Sequence, residues 1–359
     1  MQLQIIAADV GSAYIQAFTI EKVYTIAGPE WAPLGMVGMY LIIIKALYGL
    51  KSSGAMWHLK LADNLREMGF QSCQADCDFW YREMEDHYEY IAVIVDDLLI
   101  FSRDPDSIID TLKTKYNYKL GGVGSPEYYN GADVSINEYG IPQMSAKTYI
   151  KNVIDRIEKL LQCTLKSFGS PMESGDHPET DESELLPRTD IPIYQMLIGC
   201  AQWAVTLGRF DIQYATNTLA RYAIMPREGH LKRCYRLFGY LKHNPTARLY
   251  FDPTNPDLSN YDFAEHDWTD IYPSPEEYIP DQILTPKIEE PLSISVYVDA
   301  SHATDLITRR SITGYILFVG KSVIKYYCKR QNTVETSSYG SELVAMRIAL
   351  EAILQYADC

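Results

Sequence analysis

The chain has 359 residues, of which 47% are hydrophobic, and a formal net charge of −15. This length and apolar content predict a globular protein of two or three domains with a sizeable core. No apolar run is long enough to span a membrane and no basic start follows Met1, so we expect neither a membrane protein nor a secreted one. Seven cysteines at scattered spacing predict reduced intracellular thiols.

The negative charge is concentrated in two stretches. Residues 171–190 carry a net charge of −6 and residues 251–290 a net charge of −10, which leaves +1 for the rest of the chain. Both stretches contain Pro and Ser, so we predict connectors outside the folded cores. A basic segment lies between them. Its candidates for contact with a nucleic-acid backbone are Lys232, Arg233, Arg236 and Lys242, and a solvated helix face is the equal alternative.

The first elements place one carboxylate at the end of a strand. In IIAADVGSAYIQAF, residues 5–18, a β-like run ends at Asp9 and is followed by a turn and an aromatic residue. Residues 47–70 then predict a glycine-containing loop leading into an amphipathic helix. The apolar face of that helix is predicted from Trp57, Leu61, Leu65 and Met68.

The run YIAVIVDDLLIF, residues 90–101, places Asp96 and Asp97 side by side among apolar residues. Burying two unpaired like charges is costly, so we predict a hairpin with this pair at its tip, near solvent. Adjacent carboxylates at a tip offer oxygen ligands for Mg²⁺. A plain Asp-Asp turn without function is the alternative for this stretch taken alone.

The remaining chain predicts helices and then a new block. Residues 146–160 and 192–247 are predicted to be mainly helical. From Ser293, three strand-like runs are followed by a helix from about Tyr339 to Tyr356. Asp299 lies in the first of these strands and Glu342 near the start of the helix, where an acid is also favoured simply by the helix dipole.

Motifs that occur in chain order resemble the polymerase core and the ribonuclease H segment of copia-type long-terminal-repeat retrotransposons. The matching stretches are Asp9 with AYI, LYGLKSSGAMW, the VDD hairpin, YNGADVSINEYGIPQMSAKTYIKNVI, MLIGCAQWAVTLGRFDIQYATNTLARY, HLKRCYRLFGYLKHNP and VYVDASHATD through TVETSSYGSELVAM. The family has Tyr where Ile94 stands and Pro where Gly54 stands. Neither difference removes a metal ligand.

The resemblance implies an α+β fold: a polymerase palm with an antiparallel sheet and helices, a helical thumb or connection, and a truncated ribonuclease H-like α/β block. The implied divisions are a palm at 1–120, a thumb- or connection-like region at 121–250, an acidic linker at 251–291 and a partial ribonuclease H-like domain at 292–359. The chain begins and ends where the family continues, so we expect the fingers region and a third ribonuclease H carboxylate to be missing.

By the resemblance, the catalytic and metal-binding residues are Asp9, Asp96, Asp97, Asp299 and Glu342. The implied nucleotide-binding residues are Val10 through its carbonyl, Tyr14 as the aromatic that excludes a 2′-hydroxyl, and the loop residues Tyr48, Gly49 and Lys51. The implied cofactor is Mg²⁺, with Mn²⁺ as an alternative, because two-metal nucleotidyl transfer uses hard cations.

The resemblance also implies partners: an RNA or DNA template-primer, deoxynucleoside triphosphates, and other parts of the same polyprotein. It implies an intracellular location, in a cytoplasmic particle or the nucleus. Three hypotheses follow: a reverse transcriptase with an attached incomplete ribonuclease H, a non-catalytic remnant of the same polyprotein, and an unrelated acidic binding module. We expect no ribonuclease H activity from this chain, with Asp305 as the one substitute ligand that would overturn that expectation.

Overall fold

The structure is a computed structural model that describes residues 3–257, 259–260 and 292–357. It divides into two compact units, residues 1–130 and residues 131–359. These units are larger than the divisions implied by the sequence, whose boundaries stay predictions. The predicted linker at 251–291 lies almost entirely outside the described residues.

The first unit contains a six-stranded antiparallel sheet in the order β4-β5-β6-β7-β1-β8, and a separate hairpin of β2 and β3. Its elements are β1 (Gln4–Val10), α1 (Ala13–Gln16), β2 (Phe18–Ile26), β3 (Tyr40–Lys45), α2 (Ser53–Glu67), β4 (Gln71–Ser72), β5 (Phe79–Glu83), β6 (Tyr88–Ile94), β7 (Asp97–Ser102), α3 (Pro105–Thr114), β8 (Leu120–Gly124) and β9 (Tyr128–Tyr129), with a 3₁₀ turn at Pro29–Leu34.

One face of this sheet forms the core of the first unit. Alternation along β7 buries Leu98 and Ile100, and the same alternation along β6 buries Ile91. The face packs against α2 through Trp57, Leu61 and Leu65, with Met68 partly buried beside them. The predicted apolar face of this helix is therefore confirmed. Side chains on the opposite face of the sheet point away from this core.

The second unit begins with short strands and continues with a helical cluster. Its elements are β10 (Ala132–Ile136), β11 (Pro142–Ser145), α4 (Lys147–Leu161), α5 (Ile191–Thr206), α6 (Gln213–Ala220), α7 (Glu228–His243), β12 (Arg248–Tyr250), β13 (Ile294–Ser301), β14 (Ile312–Val319), β15 (Ser322–Arg330) and α8 (Ser338–Ala357), with 3₁₀ turns at Pro178–Thr180 and Phe210–Ile212. Buried side chains of α4, α5, α6 and α7 form one apolar core. The helical prediction for this part of the chain is confirmed.

The last block has the predicted order of three strands and a helix. β13, β14 and β15 form an antiparallel sheet, and α8 packs on one of its faces. Tyr315 and Leu317 meet Ala349 and Ala352 of the helix there. The helix spans Ser338–Ala357, within one residue of the predicted ends.

The acidic stretch 171–190 is not a connector outside the core, so that prediction is wrong. Met172 and Leu186 are buried in the apolar core of the helical cluster. The charge in this stretch also has a partner, because Asp176 and Asp181 both bind the guanidinium of Arg233 on α7. The composition of this stretch suggested acidic side chains without a basic partner. In the fold, Arg233 provides that partner from a helix more than forty residues further along the chain.

Ion pairs also engage most of the predicted basic surface, whose contact with nucleic acid stays a prediction. Arg236 pairs with Glu173 at 2.9 Å and Lys242 pairs with Glu158 at 2.7 Å, and their side chains are only 20% and 30% exposed. With Arg233 engaged as well, Lys232 is the one member of the predicted set with a largely exposed side chain, at 76%. A nucleic-acid contact by the other three would first have to break these ion pairs, so the structure gives that assignment no support.

His230 on α7 also contacts the acidic stretch from within the helical core. Its ring is 2% exposed and stacks on Tyr222. Nδ1 faces the backbone N–H of Arg227 at 3.1 Å and Nε2 lies 2.9 Å from the carbonyl of Pro178. The neutral ring satisfies both contacts, because Nδ1 then accepts and Nε2–H donates.

We expect the second unit to lose stability as the pH falls through the ordinary range of histidine. Burial lowers the pKa of His230, so the unfolded chain takes up its proton at a higher pH than the folded chain. The loss is at most about 1.4 kcal/mol per pH unit for one proton, and it begins below about pH 6.5. Thermal melts of His230→Gln from pH 8 to 5 should show a flatter dependence than melts of the exposed control His243→Gln. Parallel curves for the two variants would contradict this assignment.

Two further findings concern membrane-spanning helices and cysteines in the described residues. In the part that the structure describes, none of the helices combines the length and the apolar character that crossing a bilayer requires. The six cysteines within the same residues are free thiols, as predicted.

Candidate functional site

Asp9 and Asp97 face each other across two neighbouring strands. The antiparallel register of β1 and β7 pairs them directly. Paired residues of an antiparallel ladder project from the same face, with Cβ atoms about 5 Å apart. The neighbours Val10 and Leu98 are fully buried, so alternation puts both carboxylates on the face opposite the core. The strand pattern thereby brings together two residues that are 88 positions apart.

Asp96 completes the cluster from the tip of the β6–β7 hairpin. Ile94 pairs with Asp97, so the two residues of the turn are Val95 and Asp96. The predicted hairpin is confirmed, with its tip one residue earlier than expected, because Asp97 is already in the ladder. Val95 has φ of 59°, a conformation that is strained for a β-branched residue. The N–H of Val10 donates to the carbonyl of Asp96 at 2.8 Å and ties the tip to β1.

The three carboxylates influence one another. Burial raises the pKa of Asp97, and the charges of Asp96 and Asp9 raise it further. This is the signature of a group of like charges that lacks a counter-charge, and divalent cations with a preference for oxygen ligands would relieve it. The donor set therefore fits a hard cation. Among the described residues these three do not form a set whose ligand atoms all lie within 4.8 Å, and a pair of ions about 4 Å apart needs ligands spread over a wider region.

Glycine leaves space beside the cluster. Gly121 on β8 pairs with Asp9 on the side opposite Asp97, and a Cβ atom there would lie 3.7 Å from Asp9 Oδ2. Gly122 and Gly124 follow on the same strand. A glycine-rich strand beside charged groups is typical of a place where a ligand approaches the backbone closely. The LGGVG run is visible in the sequence, but its place beside the acidic cluster depends on the pairing of β8 with β1.

The predicted nucleotide-binding loop lies beside the carboxylates. Tyr48 stacks on Tyr14 with ring centroids 4.4 Å apart. Burial raises the pKa of Tyr48, and the charges of Asp96, Tyr14 and Asp9 contribute to the shift. Gly49 follows with φ of 99°, which allows the tight turn, and Lys51 is exposed. The structure thus brings together Asp9, Asp96, Asp97, Tyr14 and Tyr48, which the sequence placed in three separate motifs.

Trp57 holds the hairpin tip in place, a role that the sequence did not indicate. It is 2% exposed in the core, and its Nε1–H donates to the carbonyl of Val95 at 2.5 Å. The helix α2 is thereby joined to the turn that carries Asp96. A hydrogen bond of this kind contributes about 0.5–1.5 kcal/mol, and here it holds the carbonyl of a strained turn.

We expect Trp57→Phe to reduce nucleotide incorporation about tenfold, because the tip loses its donor while most of the aromatic packing remains. The matched control is Trp80→Phe, which shortens a second buried tryptophan of the same core. Primer extension at a temperature at which both variants are folded by circular dichroism measures the difference. Equal activity of the two variants would show that the Trp57–Val95 contact only contributes stability.

The second predicted site is arranged differently. Val296 and Val298 of β13 pack towards α8, so alternation directs Asp299 to the other face of the sheet, where it pairs with Gly314. Glu342 is the fifth residue of α8, just after its first turn. The register gives no support to Asp299 and Glu342 as ligands of one metal pair, and that assignment stays a prediction. Asp305 is unsuitable as a substitute ligand, because Arg221 and Arg330 both bind its carboxylate.

Comparison with known proteins identifies the region that carries the first site. Residues 2–171 match the family model described as reverse transcriptase (RNA-dependent DNA polymerase). Asp9, Asp96, Asp97, Tyr14 and Tyr48 all lie within the matched region, whereas Asp299 and Glu342 lie beyond it.

The chain is also similar to Pol polyproteins of transposons. The chain is 25% identical over 335 residues to the retrovirus-related Pol polyprotein from transposon RE1 of Arabidopsis thaliana, covering 93% of the chain and 20% of that protein. It is 28% identical over 265 residues to the transposon Ty1-NL2 Gag-Pol polyprotein of Saccharomyces cerevisiae, covering 69% of the chain and 15% of that protein. Together with the family match, these relatives support a copia-type retrotransposon reverse transcriptase region. The chain spans about a fifth or less of these relatives' length.

A solved structure also aligns with the chain, that of a prototype foamy virus protease-reverse transcriptase. The alignment covers 98% of this chain and 36% of that one, at 13% identity and a TM-score of 0.21. A similarity of this size supports no argument, so the mixed helix-and-sheet fold is described from this chain alone.

Proposed function

We propose that the chain is the polymerase core of a copia-type element and that it adds deoxynucleotides to a primer on an RNA or DNA template. The observation that carries the proposal is the pairing of Asp9 with Asp97, with Asp96 at the adjoining hairpin tip, inside the reverse transcriptase region. Unrelated sequence motifs converge there on one open face of a sheet. An acidic binding module offers no reason for that convergence.

The proposed reaction joins the primer 3′ oxygen to the α-phosphorus of a nucleoside triphosphate and releases pyrophosphate. Divalent cations, when bound, polarise the attacking and leaving oxygens. Asp9 and Asp96 are proposed to hold them, Asp97 to complete the acidic cluster, and the Val10 carbonyl to assist. The Val10 N–H contact to the Asp96 carbonyl and the Trp57 contact to Val95 keep the two ligand-bearing elements in fixed register.

Tyr14 is proposed to close the sugar pocket. It lies on the short helix after Asp9, its ring contacts Tyr48, and its hydroxyl would lie 3.9 Å from a Cβ atom at Gly54. The contact with Tyr48 supports an aromatic ring beside the acidic cluster. A bulky ring in that position rejects a 2′-hydroxyl by collision rather than by hydrogen bonding.

We expect Tyr14→Val to raise incorporation of ribonucleotides relative to deoxynucleotides by tenfold or more, because discrimination by a steric contact is worth about 1–3 kcal/mol. Single-nucleotide primer extension with matched dNTP and rNTP series gives the ratio. The control is Tyr139→Val, which removes a tyrosine that is 79% exposed in the second unit. An unchanged ratio in Tyr14→Val would remove Tyr14 from the sugar pocket.

The remaining assignments of this proposal rest on the family rather than on a site geometry. They are the attached ribonuclease H, the template-primer and the other polyprotein segments as partners, Mg²⁺ or Mn²⁺ as the cofactor, contacts of Gly49 and Lys51 with the nucleotide, and an intracellular location. The expectation that this chain has no ribonuclease H activity also stays a prediction. It is measured with an RNA–DNA hybrid in Mg²⁺ or Mn²⁺.

The experiment that tests the polymerase proposal is extension of a labelled DNA primer on an RNA template by the purified chain. Template-directed addition that requires Mg²⁺ or Mn²⁺ and stops with EDTA supports it. A chain that is folded by circular dichroism but adds no nucleotide with either metal would favour the second hypothesis, a non-catalytic remnant.

A further inference from the structure

The first unit holds a second cluster of metal-ligating side chains, away from the three aspartates. His58 lies on α2, and Cys77 and Asp78 end the loop between β4 and β5. One ligand atom from each of the three lies within 4.8 Å of the others, and no other such set of three occurs in the described part of the chain. Neither the family match nor the relatives' names assign a role to these residues.

We propose that His58, Cys77 and Asp78 bind Zn²⁺ or a divalent cation with the same preference for nitrogen and sulfur ligands. The donors are an imidazole nitrogen, a thiol sulfur and a carboxylate oxygen, which is the ligand chemistry of Zn²⁺. Sulfur and nitrogen donors disfavour Mg²⁺, which selects oxygen. The unit therefore carries two sites of different chemistry, an all-oxygen cluster for the polymerase cofactor and a mixed cluster for a softer ion.

The contact between His58 and Asp78 supports a shared ion. His58 Nε2 and Asp78 Oδ1 lie 2.9 Å apart, within ion-pair distance, yet neither atom makes a hydrogen bond of acceptable geometry. Both atoms are shielded from solvent, although the side chains that carry them are 41% and 46% exposed. Two shielded polar atoms that face each other without a hydrogen bond are costly to keep. A cation bound to both would satisfy them. Cys77 is exposed, so a third ligand is available from the solvent side.

The backbone of the loop holds two of the ligands in position. The N–H of Asp78 donates to Asp76 Oδ1 at 2.9 Å, and the carbonyl of Asp78 accepts from the N–H of Val93 at 2.9 Å. His58 is equally fixed, because it follows Trp57, which is buried and bonded to Val95. Three protein ligands leave a fourth position for water, as in open zinc sites.

The location of this cluster gives it a structural consequence. His58 lies on α2, the helix whose Trp57 donates to the hairpin tip. Asp78 accepts a backbone hydrogen bond from Val93 of β6, the first strand of the same hairpin. An ion at the cluster would therefore brace the same helix and strand that support Asp96. The proposal does not depend on polymerase activity, because binding is measured without a substrate.

The test is titration of the purified metal-free chain with Co²⁺ and then Zn²⁺. We expect one equivalent of Co²⁺ to give a sulfur-to-cobalt charge-transfer band, which stoichiometric Zn²⁺ removes and a large excess of Mg²⁺ leaves intact. Cys77→Ser should lose the band and bind Zn²⁺ at least about tenfold more weakly. The matched control, Cys163→Ser, changes an exposed thiol of the second unit and should behave like the wild type.

A second measurement needs no variant. Zn²⁺ should protect Cys77 from alkylation by iodoacetamide, followed by peptide mass spectrometry, while Cys163 stays reactive. The proposal is overturned if the chain binds no stoichiometric Zn²⁺ at micromolar concentration, if the band persists in Cys77→Ser, or if Cys77 is alkylated equally with and without zinc.

Discussion

Replacing Asp96 with asparagine is expected to reduce template-directed nucleotide incorporation at least about a thousandfold. Loss of one charged ligand removes several kcal/mol of metal and transition-state stabilisation, and about 1.4 kcal/mol corresponds to each tenfold change in rate. Asp9→Asn should have an effect of the same order, because the two carboxylates are proposed to hold the same ions. Steady-state primer extension over a Mg²⁺ series measures both.

We do not expect these substitutions to lower the stability of the folded chain. The pKa of Asp97 is raised by burial and by its two acidic neighbours, so removing a neighbouring charge relieves repulsion in the metal-free chain. The control is Asp110→Asn, which neutralises an exposed carboxylate on α3 and should keep full activity. If Asp96→Asn retains more than a tenth of wild-type incorporation, the hairpin tip does not hold the metals.

Replacing Asp305 with asparagine is expected to destabilise the second unit by about 3–5 kcal/mol, the usual effect of removing one partner from a buried ion pair. The Asp305 side chain is 1% exposed and binds both Arg221 and Arg330, whose side chains are 25% and 28% exposed. Its Oδ1 also accepts the N–H of Thr308 at 2.8 Å. The substitution leaves two guanidinium groups without their shared counter-charge. Urea unfolding of Asp305→Asn beside the exposed control Asp155→Asn measures the difference.

The Asp305 carboxyl also makes the stability of the second unit depend on pH in the acid range. Burial alone would raise the pKa of Asp305, but the contacts from Thr308, Arg330 and Arg221 outweigh burial and hold that pKa well below its ordinary value. A depressed carboxyl pKa contributes stability above about pH 4, and that contribution is lost as the pH falls further. Asp305→Asn should therefore unfold with less dependence on pH below 4 than Asp155→Asn. A loss below about 1 kcal/mol at pH 7 would show that solvent replaces the ion pairs.

Some of the site was fixed by local sequence. Apolar residues on both sides of VDD can form only a hairpin without burying charge, and this predicted Asp96 near its tip. Strand periodicity placed Asp9 at the end of an apolar strand. The order of three strands and a helix after Ser293 was also visible, because turn residues separate β-branched runs and the last run has helical periodicity.

Other features were decided by tertiary structure alone. The pairing of Asp9 with Asp97 depends on the register of two strands 88 residues apart, which local propensity does not determine. Arg233 was a candidate either for contact with phosphate or for a solvated helix face, and the fold pairs it with Asp176 and Asp181 of the acidic stretch. Trp57, predicted from helical periodicity as a core residue, also donates to Val95, and His58 meets Cys77 and Asp78 across a helix–loop contact. Periodicity gives the face on which a residue lies, whereas its partner depends on which elements the whole chain packs against that face.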